Sequence, residues 1–183
     1  MRLQTFQLNT PDKLWHNNNE KERVTMYRKM EDFKQDWAHA AGGTKMVLGA
    51  LTDDTLNQAI VEGHSTLGWL GWHLATAPMF FVGQVAGLQL TSVGNPQEVP
   101  TEAAKIVAAY EQIAAEITEK ADTLTDEALL EEVPFIQGNA PRGAVLRMFI
   151  DHQTHHRGQM TVLLRQAGLT VPPVMGPTQE MQR

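Results

Sequence analysis

Residues 151–159 have the sequence Asp-His-Gln-Thr-His-His-Arg-Gly-Gln, which holds three of the protein's seven histidines. The surrounding apolar pattern predicts a helix here. On a helix, residues four apart lie about 40° from each other, so His152 and His156 project side by side with Gln159 on the same face. His155 points about 100° away from His156. Two imidazoles one helical turn apart form half of a site for a transition metal such as zinc.

The helix that carries these histidines is the last of four long predicted helices. Apolar residues recur at three- and four-residue steps in segments at approximately 20–51, 66–88, 101–124 and 142–167. Almost no segment shows the alternation of a strand. The sequence therefore predicts an all-α fold, an antiparallel four-helix bundle.

The length of the chain and the spacing of its predicted helices predict a single domain. A chain of 183 residues is long enough to bury one substantial core. We expect the bundle domain at residues 21–178, with an N-terminal extension at 1–20 and a C-terminal tail at 179–183.

Glycines and a proline predict irregularities within two of the helices. The pair Gly42-Gly43 interrupts the first helix, which predicts a bend or the close approach of another backbone. Pro78 lies inside the second helix and lacks the N–H that would bond the carbonyl of Leu74, which predicts a kink.

Two further patterns lie between the helices. Residues 133–142 contain Pro134, Gly138 and Pro141, a composition typical of a loop. The pattern Leu-Thr-Asp-acid follows both the first and the third helix, at residues 51–54 and 124–127. We interpret this repeat as shared helix-capping chemistry rather than as a functional site.

The amino-acid composition argues against several classes of function. The net charge of −6 and the scattered Lys and Arg residues argue against a nucleic-acid partner. The absence of cysteine excludes disulfides, cysteine zinc sites and a cysteine nucleophile, and fits an intracellular protein. Neither a signal peptide nor an apolar run of membrane-spanning length is present, so we expect a cytoplasmic protein without a membrane partner.

The histidines interrupt faces that should point into the bundle. His152 and His156 lie on an apolar face of the fourth helix, and His73 lies among Trp69, Leu70 and neighbouring apolar residues of the second. Two adjacent buried imidazoles without partners would cost a few kcal/mol. A lone core histidine is usually a hydrogen-bonded structural residue, whereas facing helices of a bundle can build a metal site. The residues by themselves leave both interpretations open.

Two segments carry a resemblance to a known family. The run Gly71-Trp72-His73-Leu74-Ala75, followed by His-Gln-Thr-His-His-Arg-Gly-Gln-Met at residues 152–160, resembles the DinB-like superfamily, especially its YfiT-like members. The similarity extends over roughly residues 25–178. It implies a four-helix bundle and a divalent metal, commonly nickel or zinc, bound by three histidines. Carried over to this chain, those ligands are His73, His152 and His156.

The resemblance also implies a class of chemistry. Three imidazoles leave a coordination position open, as in catalytic rather than structural zinc sites. Characterised members of the superfamily include transferases and isomerases that depend on a small thiol. The leading hypothesis is therefore a low-molecular-weight-thiol S-transferase acting on a small-molecule substrate. The alternatives are a metal-dependent hydrolase and a non-catalytic metal-binding or interaction module. Relatives of this type often pair through bundle helices, so a homodimer is expected.

Several polar residues have less definite roles. Gln159 either orients a bound water or substrate, or makes an interior hydrogen bond. Arg157 is predicted to anchor a neighbouring loop or carboxylate, and His155 to be an interface residue or a neighbour of the ligands. His39 either lines the pocket or lies on the surface.

The aromatic side chains near the histidines are predicted to be core packing rather than substrate walls; they are Trp69, Trp72, Phe80 and Phe149. No carboxylate on the inward faces offers itself as a general base, which favours a metal-activated nucleophile over side-chain acid–base chemistry.

Overall fold

The fold is a bundle of four α-helices with one small hairpin, and the computed structural model describes residues 25–182. The helices are α1 (Met30–Leu48), α2 (Leu67–Thr76), α3 (Ala103–Lys120) and α4 (Arg142–Gln166), and the strands are β1 (Glu132–Phe135) and β2 (Gly138–Pro141). A π-helix (Met79–Val85) follows α2, and four short 3₁₀ helices lie at Asp53–Thr55, Ala121–Thr123, Ala128–Leu130 and Gln179–Gln182. Each of α1 and α2 packs against both α3 and α4, which closes the bundle around one core. The predicted fold class is confirmed.

The predicted first helix was too long at its amino end. Residues 25–29 are not helical, and α1 begins at Met30. The predicted extension at 1–20 lies outside the described residues. The start of α1 is set by a distant side chain, since Asp126 Oδ1 accepts a hydrogen bond from the Met30 N–H at 2.8 Å and Oδ2 accepts one from Lys29 Nζ at 2.8 Å.

The repeated Leu-Thr-Asp pattern joins α1 and α3 reciprocally. Asp126 follows α3 and binds the first N–H of α1, whereas Asp53 follows α1 and accepts a hydrogen bond from the Ala103 N–H of α3 at 2.7 Å. A carboxylate at a helix amino end satisfies an unpaired donor and interacts favourably with the helix dipole. The capping role predicted for the repeat is therefore present, but each aspartate caps the partner helix.

The segment predicted as a loop at 133–142 is an antiparallel hairpin, so that prediction was wrong. Val133 pairs with Ala140, and Phe135 pairs with Gly138 across a two-residue turn. In this register Pro134 and Pro141 occupy non-hydrogen-bonded positions. The N–H that proline lacks would make no hydrogen bond between the strands there. The proline composition concealed a strand pattern in which Val133 and Phe135 face inward.

The second helix is interrupted rather than kinked. It ends at Thr76, and the chain continues as the π-helix instead of an α-helix reaching residue 88. Pro78 cannot donate to the carbonyl of Leu74. That carbonyl instead accepts a hydrogen bond from Gln153 Nε2 of α4 at 3.4 Å. The proline thus leaves the Leu74 carbonyl of α2 free to accept a hydrogen bond from α4.

Gln153 is the centre of a buried polar network that joins all four helices. Its side chain is fully buried. Its Oε1 atom accepts hydrogen bonds from Tyr110 Oη of α3 at 3.0 Å and from Thr44 Oγ1 of α1 at 3.4 Å. Arg157, one turn further along α4, donates to Thr44 Oγ1 at 3.3 Å. A satisfied buried network of this kind fixes the rotation of each helix about its axis.

The glycine pair does not break α1, which is continuous to Leu48. Gly43 permits a close approach, but by side chains rather than by a backbone. A Cβ at this position would lie 2.7 Å from Val174 Cγ1 and 3.5 Å from Arg157 Cζ. The segment after α4 therefore packs against α1 at Gly43.

None of the helices within residues 25–182 has both the length and the apolarity that crossing a membrane requires.

Replacing Gln153 by Met should lower the free energy of unfolding by about 1–3 kcal/mol, because the buried Tyr110 hydroxyl and Leu74 carbonyl lose their partner. Urea denaturation of the metal-free proteins measures the change. The matched control is Gln166→Met, which alters an exposed glutamine at the end of the same helix. Equal stability of the two variants would contradict the role assigned to the network.

Candidate metal centre

Three imidazoles from two helices converge on one point. His73 projects from α2, and His152 and His156 project from α4. The His152 Nε2 atom lies 3.0 Å from His73 Nε2 and 3.1 Å from His156 Nε2. One candidate ligand atom from each residue lies within 4.8 Å of the other two. Three nitrogens at about 2.1 Å from one ion lie at most about 4.2 Å apart, so small side-chain rotations bring this set to ligand geometry.

Hydrogen bonding alone cannot satisfy the three rings. Gln159 Oε1 accepts a hydrogen bond from His156 Nδ1 at 2.7 Å, which leaves Nε2 of neutral His156 with a lone pair. His152 Nε2 faces both other Nε2 atoms and carries at most one proton, so it can donate to only one of them. A cation at the centre accepts all three lone pairs. The donor set therefore fits a divalent metal of the borderline type that imidazole suits.

The surroundings keep the imidazoles neutral. Burial lowers the pKa of His73 to about 4, and repulsion from His156 adds to the effect. Burial also lowers the pKa of His152 to about 4, with further repulsion from the neighbouring histidines. The pKa of His156 is lowered by burial, while its hydrogen bond to Gln159 acts in the opposite direction. Neutral imidazole is the form that binds a metal, so the lone pairs are available near pH 7.

Tryptophan or phenylalanine rings lie within 4.9 Å of two of the three imidazoles. The indole of Trp69 stacks on His73 with a centroid distance of 4.8 Å and an interplanar angle of 10°. The ring of Phe81 lies 4.9 Å from that of His152. These contacts restrict the ring planes of His73 and His152. Phe81 was not singled out from the sequence, because its position depends on the π-helix.

The prediction that four aromatic residues form the core holds for two of them. Trp72 and Phe149 are buried, as expected. Trp69 is 39% exposed and Phe80 is 41% exposed, so the prediction was wrong for these two. Trp69 lies early in α2 and stacks on His73 at the surface, whereas Phe80 lies in the π-helix and packs against Phe81 and Phe135. The three histidines are themselves only partly buried, so solvent reaches the site.

Among the remaining polar candidates, one is buried and three are exposed. Gln159 is exposed and bonds His156, so its hydrogen bond is not an interior one. Arg157 is buried and donates to the Ala40 carbonyl at 3.0 Å, so it anchors helix α1 rather than a loop or carboxylate. His155 is exposed, with its ring 4.8 Å from that of His156. His39 is exposed on α1 and is not a member of the histidine cluster.

Sequence reasoning missed Gln153, whose side chain ties the helix of His152 to the helix of His73. The signal was present in two places. Gln153 directly follows a predicted ligand, and Pro78 implies a backbone acceptor without its usual donor four residues earlier. Only the packing of α2 on α4 brings the Gln153 side chain to the Leu74 carbonyl.

Comparisons with known proteins agree with this architecture. A family model described as the DinB family matches residues 26–183. The Bacillus subtilis (strain 168) protein YrdA is 38% identical over 156 residues, which cover 85% of this chain and 93% of YrdA. The crystal structure of a DinB-like protein from Bacillus cereus ATCC 10987 is 39% identical, with a TM-score of 0.71, and the match covers 80% of this chain and 98% of that one. The DinB-like protein YjoA from Bacillus subtilis shares the fold at 15% identity, with a TM-score of 0.64 over 80% of this chain and 99% of that one.

The metal-free protein should lose stability as the pH falls from about 7 to about 5. The unfolded chain binds protons at the ordinary histidine pKa of about 6.5. Folded His73 and His152 bind them only near a pKa of about 4. Between these values the unfolded state holds more protons, so acid favours unfolding, and above about pH 7 the contribution is constant. Urea titrations between pH 5 and pH 8 with EDTA present measure this dependence.

The control for this dependence is the double variant His73→Asn with His152→Asn. It lacks both imidazoles whose pKa is most depressed, so its stability should change less over the same range. An equally steep loss of stability in the double variant would show that other groups cause it.

Replacing Gln159 by Ala should weaken metal binding about 10- to 100-fold, since the hydrogen bond that fixes the tautomer and orientation of His156 is lost. Gln159→Glu keeps an acceptor oxygen and should retain most of the affinity. Competition with a chromophoric chelator measures both, with Gln166→Ala as the control for an exposed glutamine on the same helix. Unchanged affinity in Gln159→Ala would remove this residue from the site.

Proposed function

The chain belongs to the DinB family, and from this premise and the converging imidazoles we propose that it is a divalent-metal enzyme, a low-molecular-weight-thiol S-transferase. His73, His152 and His156 are the proposed ligands, and nickel or zinc is the proposed metal. The observation that carries the proposal is the approach of three Nε2 atoms from two helices to within bonding reach of one ion.

The open coordination side of the centre supports a catalytic role. In the described part of the chain the cluster has three members, all histidines. A sealed structural zinc site normally has four protein ligands, whereas catalytic sites have three and an open position. A divalent cation held in this way would stabilise a thiolate or lower the pKa of a bound water.

The groups around the imidazoles favour a nucleophile that the metal itself activates. Within residues 25–182, the hydrogen-bonding and ring-packing partners of the three ligands outside the triad are Trp69, Phe81, His155 and Gln159. None of these is a carboxylate that could serve as a general base for hydrolysis. The nucleophile would therefore have to be ionised by the metal itself, as a bound thiolate or a bound hydroxide.

The protein's own residues orient the candidate ligands. Gln159 holds the proton of His156 on Nδ1 and so aims the Nε2 lone pair at the centre. Trp69 fixes the plane of His73 and also lines a cleft of about 570 Å³, whose other walls include Asp53, Asn57 and His64. A cleft of this size accommodates a small molecule, but its lining residues include none of the three candidate ligands.

Protein purified without an affinity tag should contain about one equivalent of divalent metal per chain, and His156→Ala should lose it. Elemental analysis after gel filtration measures the content. The matched control is His155→Ala, which removes the adjacent exposed imidazole and should keep the metal. A wild-type protein that holds no metal and takes up none of added Ni²⁺ or Zn²⁺ would refute the metal site.

Turnover tests the second part of the proposal. The metal-loaded protein is assayed with L-cysteine and 1-chloro-2,4-dinitrobenzene, and the formation of the thioether is followed by absorbance. Activity that requires both His156 and the metal supports the transferase. A bound metal with no acceleration for this or other small thiols, together with hydrolysis of activated esters, would favour the hydrolase instead.

A further inference from the structure

A groove with a volume of about 380 Å³ lies between α4 and the segment at residues 171–178, and we name it the tail groove. Helix geometry places its α4 wall on the side of the helix opposite the candidate metal ligands. The groove is therefore a separate feature of the molecule. Its α4 wall consists of Thr154, Arg157, Gly158, Thr161 and Arg165.

Arg157 brings a positive charge to the tail groove without a carboxylate to balance it. The residue is 4% exposed. The ion pairs that arginines form within residues 25–182 belong to Arg142, Arg147 and Arg165. A buried charge is costly unless a counter-ion or hydrogen bonds compensate it. The charge of Arg157 therefore favours a negatively charged ligand in the groove.

The guanidinium of Arg157 has donors that the protein leaves unused. Both Nη1 hydrogens are used on α1, by the Ala40 carbonyl at 3.0 Å and Thr44 Oγ1 at 3.3 Å. Nη2 donates to Thr154 Oγ1 at 3.4 Å. In the described part of the chain, the Nε–H and the second Nη2 hydrogen have no acceptor. An arginine with free N–H groups on this edge is suited to a carboxylate.

The threonine hydroxyls of the α4 wall differ in what they offer a ligand. Thr161 Oγ1 donates to the carbonyl of Gly158 at 2.7 Å, so its hydrogen is used. Thr154 Oγ1 accepts from Arg157 and donates to no group among residues 25–182. Thr154 and Arg157 are therefore the two donors on this wall that an anion can use.

Gly158 keeps the tail groove open. It is exposed in the interior of α4, where glycine is less favourable than alanine. A Cβ at this position would meet no atom within 4 Å, so close packing does not require the glycine. A longer side chain there would project into the groove that Gly158 lines. A ligand in the groove gives a physical reason for the missing side chain.

The charge and the opposite wall of the groove select the kind of anion. Arg165 is already paired with Glu180 at 2.8 Å, so the guanidinium of Arg157 supplies the unbalanced charge. A single positive charge suits a carboxylate better than a phosphate dianion. The opposite wall includes Val174 and Met175, whose apolar surfaces suit an alkyl chain.

We propose that the tail groove binds a small organic monocarboxylate with an apolar chain. The carboxylate accepts hydrogen bonds from the free guanidinium edge of Arg157 and from the Thr154 hydroxyl, and the chain lies against the apolar wall. This site is independent of the proposed transferase function.

Hexanoate tests charge recognition, by isothermal titration calorimetry on the full-length protein as purified. Hexanamide, its neutral analogue, should bind about tenfold or more weakly. Thr154→Val removes the unused hydroxyl and should weaken hexanoate binding about three- to tenfold. The matched control is Thr161→Val in the same groove, which should bind within about twofold of the wild type because that hydroxyl is already used.

Two further variants locate the site without disturbing the buried guanidinium. Gly158→Leu fills the groove and should weaken hexanoate binding about tenfold or more, with Gln166→Leu on the same helix as its control. His156→Ala removes a candidate metal ligand and should leave the affinity within about twofold of the wild type, since the groove lies on the opposite side of α4.

Three results would overturn the proposal. Absent hexanoate binding, or equal affinity for hexanoate and hexanamide, would show that the groove does not recognise a carboxylate. Binding that is lost in His156→Ala but kept in Gly158→Leu would place the carboxylate at the metal centre. Inorganic phosphate that binds more tightly than hexanoate, with the same loss in Gly158→Leu, would make the groove a phosphate site.

Discussion

The hydrogen bond from Gln153 Nε2 to the carbonyl of Leu74 is the contact on which the arrangement of the site depends. Pro78 frees this carbonyl, because proline cannot make the helical hydrogen bond that would otherwise occupy it. His73 precedes the acceptor and His152 precedes the donor, so the bond brings the two ligand-bearing helices together at the level of the imidazoles. The Gln153 carboxamide also accepts a hydrogen bond from Tyr110, which fixes α3 against the same two helices.

Three other polar contacts fix the remaining helix positions in the bundle. Asp53 and Asp126 cap α3 and α1 reciprocally, which fixes the height of one helix against the other. The guanidinium of Arg157 is buried between α4 and the Ala40 carbonyl of α1, and burial lowers its pKa. Buried polar groups are costly unless they are satisfied, so each of these contacts penalises alternative rotations of the helices. A metal centre built from two helices needs this restriction, because its ligands must meet within a fraction of an ångström.

Individual residues show how far the sequence could predict this structure. The apolar periodicity of α1, α3 and α4 predicted their existence well, since burial of one face dominates the choice of helix over strand. The hairpin was missed because Pro134 occupies a position where the ladder needs no N–H, which composition cannot reveal. Trp69 and Phe80 were assigned to the core because their spacing is helical. Phe80 is exposed in the π-helix that follows Pro78, whereas Trp69 is exposed early in α2.

The sequence by itself determined the four helices, the inward face of α4, the pair His152 and His156 on that face, and His73 as the candidate for the third position. The helices and the pair on α4 follow from spacing along one chain segment, where helix geometry relates residues three or four apart, whereas His73 as the third ligand follows from the family resemblance. Tertiary structure alone decided that His73 meets the pair at 3.0 Å, that Gln159 rather than an interior group bonds His156, and that the three imidazoles are only partly buried. Those facts depend on the relative height and rotation of packed helices, which a few distant hydrogen bonds set and no local pattern encodes.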